Sequence, residues 1–246
     1  MIEEPPLTPA VIRDRADALL ARLGAAARRA GRDPDGFRLV AVTKGFPVAV
    51  VRAAREAGLG TFGENRVQEA IPKVEAVPDA EWHLVGHLQA NKVRRALGLF
   101  ATIHSVDSLE LLQRIERIAH DDDRRPRLLL QVNVAGEASK AGFDPAELDP
   151  PSAALAGVLG RASAGRASAG RANVAGLMTM APAGAGEAEL RTIFGTLRGL
   201  RDRLQEALGL PLPELSMGMT ADAEAAVAEG ATLVRIGTGI FGPPPG

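Results

Sequence analysis

The amino-acid sequence predicts an α/β fold, a single (β/α)8 TIM barrel with an extra N-terminal helix. Three observations carry that expectation. Eight short apolar runs recur along the chain, and each but the last is followed by a stretch of helical character. The 246 residues match the size of one such barrel. Polar, small and amine-bearing residues stand just after the apolar runs, where a barrel gathers its functional groups. A doubly wound open sheet is the alternative architecture, but about six strands would be its usual number.

Taken in order, residues 9–30 form an opening helix with Val11, Ala18, Leu19 and Leu23 on one face, stopped at Gly31. Residues 37–42 are a buried strand, and a helix over 48–57 ends at Gly58 and Gly60. Residues 61–62 make a minimal second strand, with a helix over 65–77. Strand 82–85 precedes helix 89–97, and strand 102–104 precedes helix 108–120. Residues 127–134 are the clearest strand of the chain. Helical character over 145–160 must be interrupted at Pro150-Pro151. Residues 161–170 repeat Arg-Ala-Ser-Ala-Gly, and 161–171 reads as a flexible surface insertion. Strand 174–178, helix 187–208, strand 214–216, helix 221–229 and strand 232–236 close the series.

Composition narrows the chemistry. Lys and Arg total 29 against 30 Asp and Glu, a net charge of −1, so nothing suggests a polyanion or a membrane surface as partner. Seven Phe and one Trp are too few for a base-stacking platform, and no nucleic-acid partner is expected. The absence of Cys excludes disulfides, thiolate nucleophiles and cysteine-ligated metals. The absence of Tyr removes any phenolic acid or base from this chain. No run approaches the roughly 18 apolar residues of a membrane span, and residues 1–10 lack the basic-then-apolar order of a signal peptide. A soluble, cytoplasmic chain is expected, and a lone barrel of this size suits a monomer.

Only four Lys are present, Lys44, Lys73, Lys92 and Lys140, so chemistry needing a neutral amine has four candidates. Lys44 directly follows the first strand. Its stem is expected to begin in a desolvated barrel mouth, where a lowered pKa makes the amine nucleophilic toward an aldehyde. On spacing alone, the same position also suits a lysine that reaches solvent or pairs with Glu64. Two Gly-containing turns follow strands seven and eight: Ser216-Met217-Gly218-Met219-Thr220 and Gly237-Thr238-Gly239. Backbone N–H groups and hydroxyls there can cradle an anion, although Thr220 would also serve as an ordinary N-cap. An amine on the first strand with an anion cradle after the last two is an arrangement that would hold pyridoxal 5'-phosphate. Arg235 would then point into the same mouth, toward the pyridine nitrogen or into a salt bridge across the rim. His83 and His87 cannot share a helical face, which disfavours a metal pair.

The sequence resembles the pyridoxal phosphate homeostasis proteins (YggS/PROSC family). The matching segments include Ala41-Val-Thr-Lys44, Phe62-Gly-Glu-Asn65, Trp82-His-Leu-Val-Gly86, Ile103-His-Ser-Val-Asp107, Leu215-Ser-Met-Gly-Met219 and Val234-Arg-Ile-Gly-Thr238. They run in family order over nearly the whole chain. The resemblance implies a barrel like the N-terminal domain of alanine racemase, with the cofactor held as an aldimine on Lys44. It further implies phosphate contacts from Ser216, Met217, Gly218, Met219, Gly237 and Thr238, Arg235 at the ring nitrogen, and Asn65, His83 and Met217 lining the site. A racemase needs two acid/base groups, and relatives with a second domain use a tyrosine opposite the lysine. With no Tyr, and with a guanidinium at the ring nitrogen weakening the ring as an electron sink, the expectation is a carrier that buffers and delivers the cofactor to dependent apo-enzymes. The alternative is a slow amino-acid racemase or lyase.

Overall fold

The computed structural model describes residues 7–137, 140–163 and 172–244. Eight strands lie parallel in a closed barrel in sequence order. They are β1 (Arg38–Val42), β2 (Thr61–Glu64), β3 (Glu81–Leu84), β4 (Thr102–Val106), β5 (Arg127–Gln131), β6 (Asn173–Met178), β7 (Glu214–Ser216) and β8 (Leu233–Ile236). The barrel closes where β8 pairs with β1, setting Val40 opposite Arg235.

Helices α1 (Pro9–Arg29), α2 (Val48–Glu56), α3 (Val67–Ala76), α4 (Val93–Leu99) and α5 (Leu109–Asp121) cover the first half. The second half carries α6 (Pro145–Leu148), α7 (Ala153–Ser163), α8 (Glu187–Leu208), α9 (Ala223–Ala228) and α10 (Thr238–Phe241). The extra helix α1 packs on α2, α9 and α10, joining the two ends of the helical ring. The main apolar core lies between sheet and helices, where Phe62, Trp82, Ile103, Leu112 and Phe194 are buried. A second, much smaller cluster gathers Val40, Leu129, Ala175, Met178 and Leu233. The buried polar side chains His83, His104, Ser216 and Arg235 are linked by hydrogen bonds inside the barrel.

Several boundaries differ from the sequence expectation. β2 runs two residues past Phe62, because Phe62 to Glu64 pair in register with Trp82 to Leu84 of β3. β4 likewise extends to Val106. β5 stops at Gln131: Val132 makes only an isolated bridge to Phe143, and Asn133 turns the chain by donating to the carbonyls of Glu137 and Lys140. α3 starts two residues later than expected, and a short 3-10 turn (Ala90–Lys92) precedes α4. The Pro150-Pro151 pair separates α6 from α7, as the sequence required. Of the expected insertion 161–171, residues 161–163 continue α7, and the remainder lies outside the described residues.

Candidate functional site

The C-terminal ends of the strands enclose an open cavity of about 660 Å³, within the usual range for small-molecule sites. Lys44 lines it from the end of β1, with Asn65 after β2 and Gln131 at the end of β5. Met219, Gly237 and Thr238 complete it from the turns after β7 and β8, and Arg235 lies at its base.

Lys44 is exposed, the solvent-reaching one of the alternatives open in the sequence, and makes no hydrogen bond or ion pair among the described residues. Glu64 is not its partner. That carboxylate is fully buried behind the strand, where Oε1 accepts from Lys73 Nζ and from Thr43 Oγ1, both at 2.6 Å. Lys73 Nζ also donates to the Thr43 carbonyl at 2.7 Å, anchoring the residue before Lys44 from behind. Burial raises the Glu64 carboxyl above its ordinary pKa, opposed by the hydrogen bonds from Lys73 and Thr43. Lys73 reads in the sequence as a helix lysine between charged neighbours. The only signal there of its buried role is its spacing from Glu64, across one strand-to-helix turn.

Arg235 is buried in the barrel and forms no salt bridge among the described residues. Its Nη1 donates to Ser216 Oγ at 2.5 Å and its Nη2 to the Thr179 carbonyl at 2.9 Å. Desolvation pushes its pKa down to about 10, so it stays cationic at neutral pH. Below it, Ser216 Oγ lies 2.7 Å from His104 Nδ1, and His104 Nε2 lies 2.8 Å from His83 Nδ1. His83 Nε2 is 2.8 Å from Glu81 Oε1. Burial holds the His104 pKa well below its ordinary value, reinforced by the positive charge of neighbours. The hydrogen bond from His83 lowers the Glu81 pKa. His104 stands in the sequence inside a matched motif, but nothing in that motif gives it a role. The usable signal is its place on β4 two residues after the strand begins at Thr102, which puts both side chains on one face.

The two turns after β7 and β8 are tied together. Thr220 Oγ1 accepts from the Gly239 N–H at 3.1 Å and from Thr238 Oγ1 at 3.0 Å. Thr220 therefore does not cap α9. Asp222 precedes that helix, and its carboxylate accepts from the Met219 N–H, which removes one donor from the expected anion cradle. Gly218 has a φ of +92°, and a Cβ there would lie 2.5 Å from the Ala226 Cβ.

Of the residues expected from the sequence, Lys44, Asn65, Met219, Arg235, Gly237 and Thr238 come together on the cavity. His83 and Ser216 lie beneath it in the barrel interior, Met217 belongs to the sheet–helix core, and Gly218 is buried under the turn. Among the described residues, no group of three or more His, Asp or Glu could hold a metal ion. No helix among them is long and apolar enough to cross a membrane.

A family model for the alanine racemase N-terminal domain matches residues 15–245. The pyridoxal phosphate homeostasis protein of Aquifex aeolicus is 39% identical over 231 residues, covering 93% of this chain and 96% of that protein. PipY of Synechococcus elongatus, solved with pyridoxal phosphate bound, is 40% identical with a TM-score of 0.75, covering 94% of this chain and all of that one. An alanine racemase of Clostridium difficile shares the fold at 16% identity and a TM-score of 0.68, covering 92% of this chain and 57% of that one.

Proposed function

The chain belongs to the pyridoxal phosphate homeostasis proteins, within the alanine racemase N-terminal domain family, and on that premise we propose that it binds pyridoxal 5'-phosphate in the cavity at the C-terminal end of its barrel, buffering and delivering it. The observation that carries this reading is the exposed Lys44 at the cavity wall, without a partner among the described residues, with the buried Arg235 at its base. Pyridoxal phosphate brings to such a site an aldehyde open to attack by an amine, a pyridine nitrogen and a phosphate group.

The donor set suits each part. Lys44 supplies the amine, and its backbone is steadied by the Lys73 bond to the Thr43 carbonyl. Arg235 can only donate hydrogen bonds, so it favours an unprotonated ring nitrogen opposite it. The Gly237-Thr238 turn lines the cavity as the place for the phosphate, joined to the β7 turn through Thr220. Asn65 borders the amine end.

Carriage explains the site better than turnover. Racemisation needs a proton taken from one face and returned to the other, and this chain has no Tyr to stand opposite Lys44. Arg235 keeps its own proton at neutral pH and leaves the ring a poor electron sink. The exposed Lys44 suits hand-over to cofactor-dependent apo-enzymes in the cytoplasm, with the protein acting as a monomer. Replacement of Lys44 by Ala is expected to abolish the visible absorption of the loaded protein and the label fixed by borohydride. Retention of both would remove Lys44 from the reading. Deuterium wash-in at Cα of alanine at enzymatic rates would instead establish a racemase.

A further inference from the structure

The interior of the barrel carries a line of polar side chains that runs from the cavity to the opposite end. Its direction follows from its two ends. Arg235 has only N–H donors, so Ser216 Oγ must accept from it. Ser216 keeps its own hydrogen, which is free to point to His104 Nδ1 when that nitrogen is the acceptor. A neutral His104 consequently carries its hydrogen on Nε2 and donates it to His83 Nδ1. His83 in turn carries its hydrogen on Nε2 and donates it to the Glu81 carboxylate at the N-terminal end of β3. The reverse set of tautomers would place an unprotonated His83 Nε2 against the Glu81 carboxylate, acceptor against acceptor. Ser216, His83 and His104 have no exposed surface, so water cannot replace a broken link.

We propose that Ser216, His104, His83 and Glu81 are positioning residues for Arg235, forming one directed hydrogen-bond chain that fixes the guanidinium at the base of the cavity. The chain and the Thr179 carbonyl hold two of the guanidinium nitrogens, which sets the plane of the group. Ser216 thereby acts through Arg235 and not as a phosphate ligand. This inference rests on the reading of the cavity as a pyridoxal phosphate site.

The chain also ties Arg235 to the protonation of the interior. The charged groups packed around it are Arg38 from β1, Arg127 from β5 and Glu214 from β7, with Arg38 and Arg127 both donating to Glu214. Arg38 also approaches Glu81 at 3.9 Å, and Asp222 favours the charge on Arg235. Because the two imidazoles face each other nitrogen to nitrogen, only one proton fits between them. A proton added to this pair can enter only at His104 Nδ1, the ring nitrogen that faces Ser216 Oγ. Ser216 Oγ then faces two donors, and its own hydrogen loses its acceptor. Acid therefore alters the hydrogen bonding of the atom that holds Arg235.

The test has two independent arms. In the protein without cofactor, nitrogen-15 NMR of the histidine rings at pH 8 is expected to find both His83 and His104 protonated on Nε2. A His104 protonated on Nδ1 at that pH overturns the chain. Glu81→Gln, which keeps an acceptor for His83, is expected to retain both tautomers, whereas Glu81→Leu releases them. Unchanged tautomers in Glu81→Leu also overturn it. In the loaded protein, Ser216→Ala is expected to keep the borohydride-fixed label on Lys44, to weaken affinity for pyridoxal phosphate about tenfold, and to shift the pH profile of the cofactor's absorption. A wild-type profile and affinity in Ser216→Ala overturn the positioning role. If the wild-type protein takes up no pyridoxal phosphate, the functional reading and the positioning role toward that ligand both fall, while the NMR arm still decides the directed chain.

Discussion

Two lysines of this chain have exchanged the environments their sequence neighbours suggest. Lys44, at the end of an apolar strand, is exposed and unpaired among the described residues, and Lys73, on an amphipathic helix, is 5% exposed and clamped to Glu64 and to the Thr43 carbonyl. The buried pair is costly to break from one side. Lys73→Met leaves the Glu64 carboxyl buried without its counter-charge, and is expected to lower stability by about 3–5 kcal/mol in urea denaturation. The double variant Lys73→Met with Glu64→Leu should recover most of that loss, since both charges are then gone. A double variant as unstable as the single one would show that packing, and not charge, sets the cost. The sequence shows Lys44 by its position after the first strand. It cannot show which of two lysines is dry, because that depends on how α3 leans on β2.

At the scale of elements, the cavity depends on how closely neighbouring strand ends approach. Gly86 follows β3, and a Cβ on it would lie 2.3 Å from the Asn65 carbonyl oxygen after β2. Gly86→Ala must push these two segments apart. It is expected to cost about 1–3 kcal/mol of stability and to reduce uptake of pyridoxal phosphate, measured by equilibrium dialysis, because Asn65 and Gly86 both line the cavity. Gly218→Ala combines a positive φ with a clash against α9, and is expected to disturb the anion cradle by the same assay without altering Lys44. The order of strands and helices was legible from apolar periodicity. The ends of β2 and β5 were not, because pairing with β3 lengthens the one and the Asn133 turn shortens the other.

For the whole molecule, the polar interior couples stability to pH. The folded state holds His104 neutral, with a pKa below the ordinary 6.5. As pH falls below that value the unfolded chain takes up a proton that the folded chain does not, so stability decreases. The lowered Glu81 pKa acts in the same direction at lower pH: its contribution is present above the ordinary value of 4.5 and is lost as pH falls through the folded value. The unfolding free energy measured in urea is therefore expected to drop between pH 7 and pH 5, by up to about 1.4 kcal/mol per pH unit from His104 alone. His104→Gln should flatten that slope. An equal slope in the variant would assign the acid sensitivity to other groups.

The eight-fold alternation, the candidate amine at Lys44, the turns after the last two strands and the family resemblance can all be read along one dimension. They are local properties: periodicity, turn residues and short motifs need no partner distant in the chain. Other assignments required the folded barrel, namely that Lys44 is wet and Lys73 dry, that Thr220 joins two turns instead of capping a helix, and that Ser216 faces Arg235 and His104 in the interior. Each depends on barrel closure, which brings β3, β4, β7 and β8 around one axis and sets residues more than a hundred positions apart within hydrogen-bond reach.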